Sequence, residues 1–198
     1  MRYILPTFFI LAACTPFSVP TLTDPNGYML TAASYMFYTE HNNRKELKKF
    51  LNVDPANTEW CAAFINSTLH THGFEGSESV SEFPLLARSF VEYGIPVTTP
   101  EVGDIVVLSR GDSWQGHVGF YVSETQKNGV TYYALLSGNN DDAVNIDWFE
   151  KRRVVDIRRV TSANLLESQE KSLLERTPTD QQSLQLVQAY LLPHTLLD

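Results

Sequence analysis

Two side chains in this sequence could together attack a carbonyl. Cys61 lies in Thr58-Glu59-Trp60-Cys61-Ala62-Ala63-Phe64, where Thr58 reads as a helix N-cap and Glu59 suits the positive end of a helix. A thiolate attacks carbonyl carbon where a thiol does not, and the unpaired N–H groups of a first helical turn favour the charged form. His117 opens an apolar run directly after Arg110-Gly111-Asp112-Ser113-Trp114-Gln115-Gly116. Imidazole has the ordinary pKa best suited to proton transfer near neutrality, so it can pair with a thiolate and return a proton to a leaving group. Each residue alone has a plainer reading. Cys61 could be a structural cysteine on the apolar stripe it shares with Phe64, Ile65 and Leu69, and His117 a surface residue at a strand end.

The surrounding pattern says what must position them. Tyr28, Met29, Ala32, Ala33, Met36 and Phe37 recur at helical spacing and mark a buried face. Residues 44–51 form a second helix, the Cys61 stripe a third that stops at Gly73, and residues 82–93 a fourth, with Pro84 in its first turn and Gly94 as terminator. After Pro100 the period changes. Residues 104–108, 117–123, 130–136, 144–149 and 154–160 read as strands, with Lys127-Asn128-Gly129 as a hairpin signal. Helices first and an antiparallel sheet second make an α+β domain. The hairpin also sets what faces His117. A three-residue loop puts Asn139 across the ladder, a two-residue Asn-Gly loop puts Asn140 there, and either amide could orient the imidazole.

Glu59-Trp60-Cys61-Ala62-Ala63-Phe64, Gly103-Asp104-Ile105-Val106-Val107, Gly116-His117-Val118-Gly119-Phe120-Tyr121 and Ser137-Gly138-Asn139 occur in the order found in NlpC/P60 and CHAP peptidases. The chain resembles most the CHAP-related branch with a Trp-Cys-Ala-Ala-Phe and a Gly-His-Val-Gly-Phe block, over roughly residues 28 to 160. The resemblance implies a papain-like core and hydrolysis of peptidoglycan amides by an amidase or endopeptidase without a cofactor. It carries the nucleophile to Cys61, the base to His117 and the third role to Asn139. Many CHAP members have Glu near the position of Ser137 and many NlpC/P60 members a second His; this chain has neither. Trp60 and Trp114 flank the two blocks and could line a substrate groove, with core packing the other reading for Trp60.

The N-terminus bears on where such chemistry would occur. Arg2 precedes an apolar run too short to span a bilayer, and Leu11-Ala12-Ala13-Cys14 follows it, similar to the lipobox of bacterial lipoproteins. Residues 1–13 are expected to be a signal peptide, 14–26 a tether lipidated at Cys14, 27–160 the catalytic domain and 161–198 a helical C-terminal extension. Thr15 after the cysteine resembles outer-membrane sorting, which implies a lipid-anchored protein of the cell envelope facing the periplasm. The chain has two cysteines, Cys14 and Cys61. A disulfide between them suits an exported protein, whereas lipidation of Cys14 leaves Cys61 a free thiol.

The net charge of −8 over 198 residues argues against nucleic acid as a partner. No metal site is expected: His70 and His72 point to different faces of a helix, and His41 and His194 have no ligands nearby in sequence. Two rivals remain beside the hydrolase: a non-catalytic peptidoglycan-binding lipoprotein, and a papain-like acyltransferase or deamidase acting on another amide.

Overall fold

The computed structural model describes residues 26–165. The expected signal peptide, Cys14, the tether up to residue 25 and the helices foreseen after residue 165 lie outside the described residues. Three α-helices come first: α1 (Asn26–Ser34), α2 (Arg44–Leu51) and α3 (Cys61–Thr71). Six strands follow: β1 (Ile95–Pro96), β2 (Ile105–Ser109), β3 (Gly116–Lys127), β4 (Val130–Asn140), β5 (Ala143–Glu150) and β6 (Val154–Arg159). They form one antiparallel sheet in the order β1-β6-β2-β3-β4-β5. This is the expected α+β arrangement.

Strand alternation divides the interior in two. Ile105, Val107, Val118, Phe120 and Leu136 face the helices and meet Phe64, Ile65 and Leu69 of α3 in the main core. Val106, Leu108, Tyr121, Tyr133, Leu135 and Ile157 form a smaller cluster on the other face. Apolar side chains at both parities explain why the central strands read as nearly continuous hydrophobic runs.

The fourth expected helix does not form. Residues 82–93 give a 3-10 turn over Ala87–Glu92, preceded by extended chain at Leu86. Buried Asn66 on α3 is the physical reason: its amide donates to the Pro84 carbonyl at 2.9 Å and its oxygen accepts from Ser77 N–H at 2.8 Å. The Pro84 carbonyl is thereby bound to α3 and unavailable to a helix of its own. The expected first helix also ends early, at Ser34. Phe37 adopts φ 68° and is 62% exposed, because its N–H is drawn to the Val144 carbonyl at 2.9 Å.

Two links brace the sheet where the helices meet it. Asp104, from the Gly-Asp-Ile-Val-Val block, accepts both ends of the Arg159 guanidinium at 2.8 Å, tying the start of β2 to β6. At Gly138 the sheet comes so close to α3 that a Cβ would lie 2.5 Å from Trp60 Cζ3 and 2.6 Å from Phe64 Cβ. Only a residue without a side chain fits there.

Gly138→Ala is therefore expected to destabilise the fold by about 1–3 kcal/mol through overpacking, read as a lower thermal midpoint. An unchanged midpoint would mean that α3 can move away from the sheet without cost.

Candidate active site

Cys61 is the first residue of α3, closer to the helix end than the sequence suggests. Thr58 does not cap the helix: it follows a 3-10 turn at Pro55–Asn57 in extended conformation, and Trp60 occupies the cap position without a side-chain hydrogen bond. The first helical hydrogen bond runs from Phe64 N–H to the Trp60 carbonyl at 2.9 Å, so the amides of residues 61–63 have no acceptor within the helix. The Cys61 thiol is a free cysteine, 6% exposed, and it accepts from the backbone N–H groups of Val118 and Ala62.

The Val118 contact arises because two strands part. The β3–β4 ladder runs in from Lys127↔Val130 and ends at Phe120↔Leu136. Beyond it the β4 register becomes irregular between Ser137 and Asn140, and Gly138 lies against Trp60 and Phe64 at the N-terminus of α3. Val118 N–H, left without a strand partner, points to the thiol. His117 is the preceding residue, so Cys61 lies against its peptide unit.

His117 is buried, with Nε2 hydrogen-bonded to Ser137 Oγ at 2.9 Å and its ring 5.3 Å from that of Phe149. This corrects the expectation that an asparagine would face it. The hairpin turn has two residues, Asn128 and Gly129, and a bulge at Val122 shifts the register by one toward Asn139, but the ladder ends at Phe120↔Leu136 before His117 is reached. Asn139 adopts φ 54° and its amide donates to Glu59 at 2.7 Å, while Asn140 Nδ2 is buried without a hydrogen-bond partner among the described residues. Ser137, passed over because it is not the expected Glu, is the side chain on the imidazole. The signal that could have found it is the alternation that puts Gly119, Leu135 and Ser137 on one face, where a Cβ on Gly119 would sit 3.0 Å from the Ser137 Cβ.

Burial governs both titrations. It pushes the Cys61 thiol up to about 11, assisted by the Glu59 carboxylate and opposed by the two backbone N–H groups and Arg110. It pulls His117 down to about 4, assisted by the Arg110 and Arg153 guanidiniums. The helix terminus does not prevail over desolvation, so the resting pair at neutral pH is a thiol beside a neutral imidazole.

The two tryptophans separate. Trp60 is 0% exposed, packs on Gly138 and donates Nε1–H to Glu40 at 3.3 Å, so it is core and not a groove wall. Trp114 is 61% exposed on the loop that leads to His117. A cavity of about 610 Å³ runs along another flank of α3, lined by Phe50, Val53, Ala63, Asn66, His70 and Leu85; neither Cys61 nor His117 lines it. His41 does have neighbours that could ligate: Glu40, His41 and Asp142 bring donor atoms within 4.8 Å of one another on the surface. His70 is paired with Glu78 at 2.6 Å, and His72 Nε2 with Thr31 Oγ1 at 2.7 Å.

Compared with protein families, residues 53–140 match the CHAP domain. The match covers α3, the Cys61 block, the His117 block and Ser137, and agrees with the resemblance to the CHAP and NlpC/P60 cysteine peptidases. CHAP domains are in general hydrolases that act on peptidoglycan. No curated protein matches the chain.

The low His117 pKa makes a stability prediction. Unfolding returns the imidazole to 6.5, so between about 6.5 and about 4 the unfolded chain binds the extra proton and stability is lost as pH falls. The loss from this group is expected to reach roughly 3 kcal/mol at most. Thermal midpoints across that window should fall less steeply in His117→Gln than in the native chain; equal slopes would show that His117 is not held neutral.

Proposed function

We propose that this CHAP-domain protein is a cysteine hydrolase that cuts peptide or amide bonds in peptidoglycan, with Cys61 as nucleophile and His117 as base and acid. The observation that carries it is the Cys61 thiol at the first residue of α3, bonded to the Val118 N–H beside His117. With Nε2–H donated to Ser137 Oγ, Nδ1 keeps the lone pair that a thiol proton needs. Ser137 thus takes the orienting role first given to Asn139, which stands near the thiol through its bond to Glu59.

Because the resting groups are neutral, proton transfer and attack belong to one step. His117 takes the thiol proton as sulfur bonds to the scissile carbonyl carbon, and the carbonyl oxygen becomes an oxyanion within reach of the Cys61 N–H. Collapse breaks the C–N bond, and imidazolium gives its proton to the departing amine. Water then loses a proton to His117 and adds to the thioester, the C–S bond breaks, and the proton returns to sulfur.

The same proposal includes the location. The Leu11-Ala12-Ala13-Cys14 pattern supports lipidation at Cys14 and an envelope protein facing the periplasm. A thiol this buried and this hard to ionise also suits the wall-binding alternative, and turnover decides between them.

Purified sacculi incubated with the soluble chain from Thr15 onward should release new muropeptides by mass spectrometry, and Cys61→Ala should release none while keeping its fold. Products from Cys61→Ala, or none from the native chain, would overturn the mechanism. Ser137→Ala is expected to slow turnover about tenfold or more, roughly 1.4 kcal/mol, and Asn139→Ala to slow it less; the reverse order would restore Asn139 to the third role. Cys14→Ser should move the protein from the membrane to the soluble fraction, and continued membrane retention would count against the anchor.

A further inference from the structure

Two guanidiniums converge beside the candidate pair with no counter-ion among the described residues. Arg153 donates from Nε and Nη2 to the Ser109 carbonyl at 3.3 and 3.2 Å, which holds it next to Arg110, the following residue. The sheet register brings both to His117: Leu108 pairs with His117 on one side and with Val154 on the other. Arg153 also lies over Phe149, 5.3 Å from the ring centroid, and the same ring stands 5.3 Å from the imidazole. Both arginines act on His117, and Arg110 acts on Cys61 as well.

Several other cations are paired, although Lys45, Lys49, Arg88, Lys127 and Lys151 also have no ion pair among the described residues. Arg44 and Lys48 share Asp54, Arg158 takes Asp156, and Arg159 takes Asp104 and Glu101. Neither Arg110 nor Arg153 has an ion pair among the described residues, in a chain of net charge −8. Two arginines without an ion pair among the described residues, set at one point next to the candidate nucleophile and base, keep that point open to an external anion.

We propose that Arg110 and Arg153 form an anion subsite that takes a free carboxylate of the wall peptide being cut. The proposal rests on the hydrolase reading above and names what the site recognises. Arg110 is exposed and presents its whole fork, whereas Arg153 keeps only Nη1 free of the Ser109 carbonyl and acts as a fixed second charge. Burial does most to hold His117 below its ordinary range, and a carboxylate bound there offsets the two positive charges that add to it, so the imidazole becomes a stronger base when the correct substrate is in place. Peptides that end in an amide would lack both the anchor and this effect.

The test uses the Cys61→Ala chain, so that binding is measured without turnover, and two synthetic wall tetrapeptides identical except for a C-terminal carboxylate or carboxamide. Titration followed by NMR should show the carboxylate peptide bound about tenfold tighter, with the His117 ring titrating at higher pH in its presence. Arg110→Gln on the same background should erase both differences, and Arg110→Lys should keep part of the affinity. Equal binding of the two peptides, no binding of either, or an advantage that survives Arg110→Gln would overturn the subsite. Its failure is separable from that of the hydrolase. A Cys61-bearing chain that leaves the bound carboxylate peptide and sacculi uncut removes the hydrolase and leaves the subsite standing; one that cuts both peptides equally well removes the subsite alone.

Discussion

The parting of β3 and β4 beyond Phe120↔Leu136 is the constraint on which the candidate site depends. A closed ladder would satisfy Val118 N–H within the sheet and leave no room for a helix end. Opening it creates an orphan donor, which is costly when buried, and the Cys61 thiol accepts that donor's hydrogen. Gly138 permits the opening by letting the Trp60 ring and Phe64 press onto the strand where its register becomes irregular. Trp60 is held from behind by Glu40. The position of the sulfur therefore follows from backbone groups and close packing, and not from a side chain that reaches for it.

The electrostatics of the pair follow from the same burial. Ser137 offers the imidazole a neutral oxygen and no negative charge that would favour its protonation. Two arginines stand nearby instead, and they oppose the protonation that a carboxylate would favour. The site is thus set toward neutral groups, and whatever enters has to supply a negative charge or accept a concerted proton transfer.

The sequence was most legible where one residue type has one use. The amphipathic run at residues 44–51 is α2 to the residue, and Gly73, with φ 75°, ends α3 as expected. The strands after Pro100 appear in order because their apolar residues either run on, as in β2, or alternate with polar ones, as in β5. The Cys61 and His117 blocks come together because each sits at the end of an element, where position in the chain and position in space agree. What escaped depends on contacts distant in sequence. Asn66 looks like one more helical residue, yet it takes the Pro84 carbonyl and cancels a helix eighteen positions away. The bulge at Val122 has no sequence mark and moves the extrapolated partner of His117 from Asn140 to Asn139. The ladder ends before that pair forms, and Ser137, in register with Gly119 on the same face, takes the imidazole. Trp60 could be read as groove or core from its motif, and only the approach of Gly138 decides for core.

A thiol with a pKa near 11 is about one part in ten thousand ionised at pH 7. Oxidants and disulfides react with thiolates, so sulfenic acid formation and mixed-disulfide capture at Cys61 are slowed, though less than in proportion because a more basic thiolate is the stronger nucleophile. An exposed cysteine with an ordinary pKa is oxidised faster. Enclosure between α3 and the parted strands gives this one chemical longevity, and the same walls that delay its ionisation keep the sulfur reduced until a bound molecule changes its surroundings.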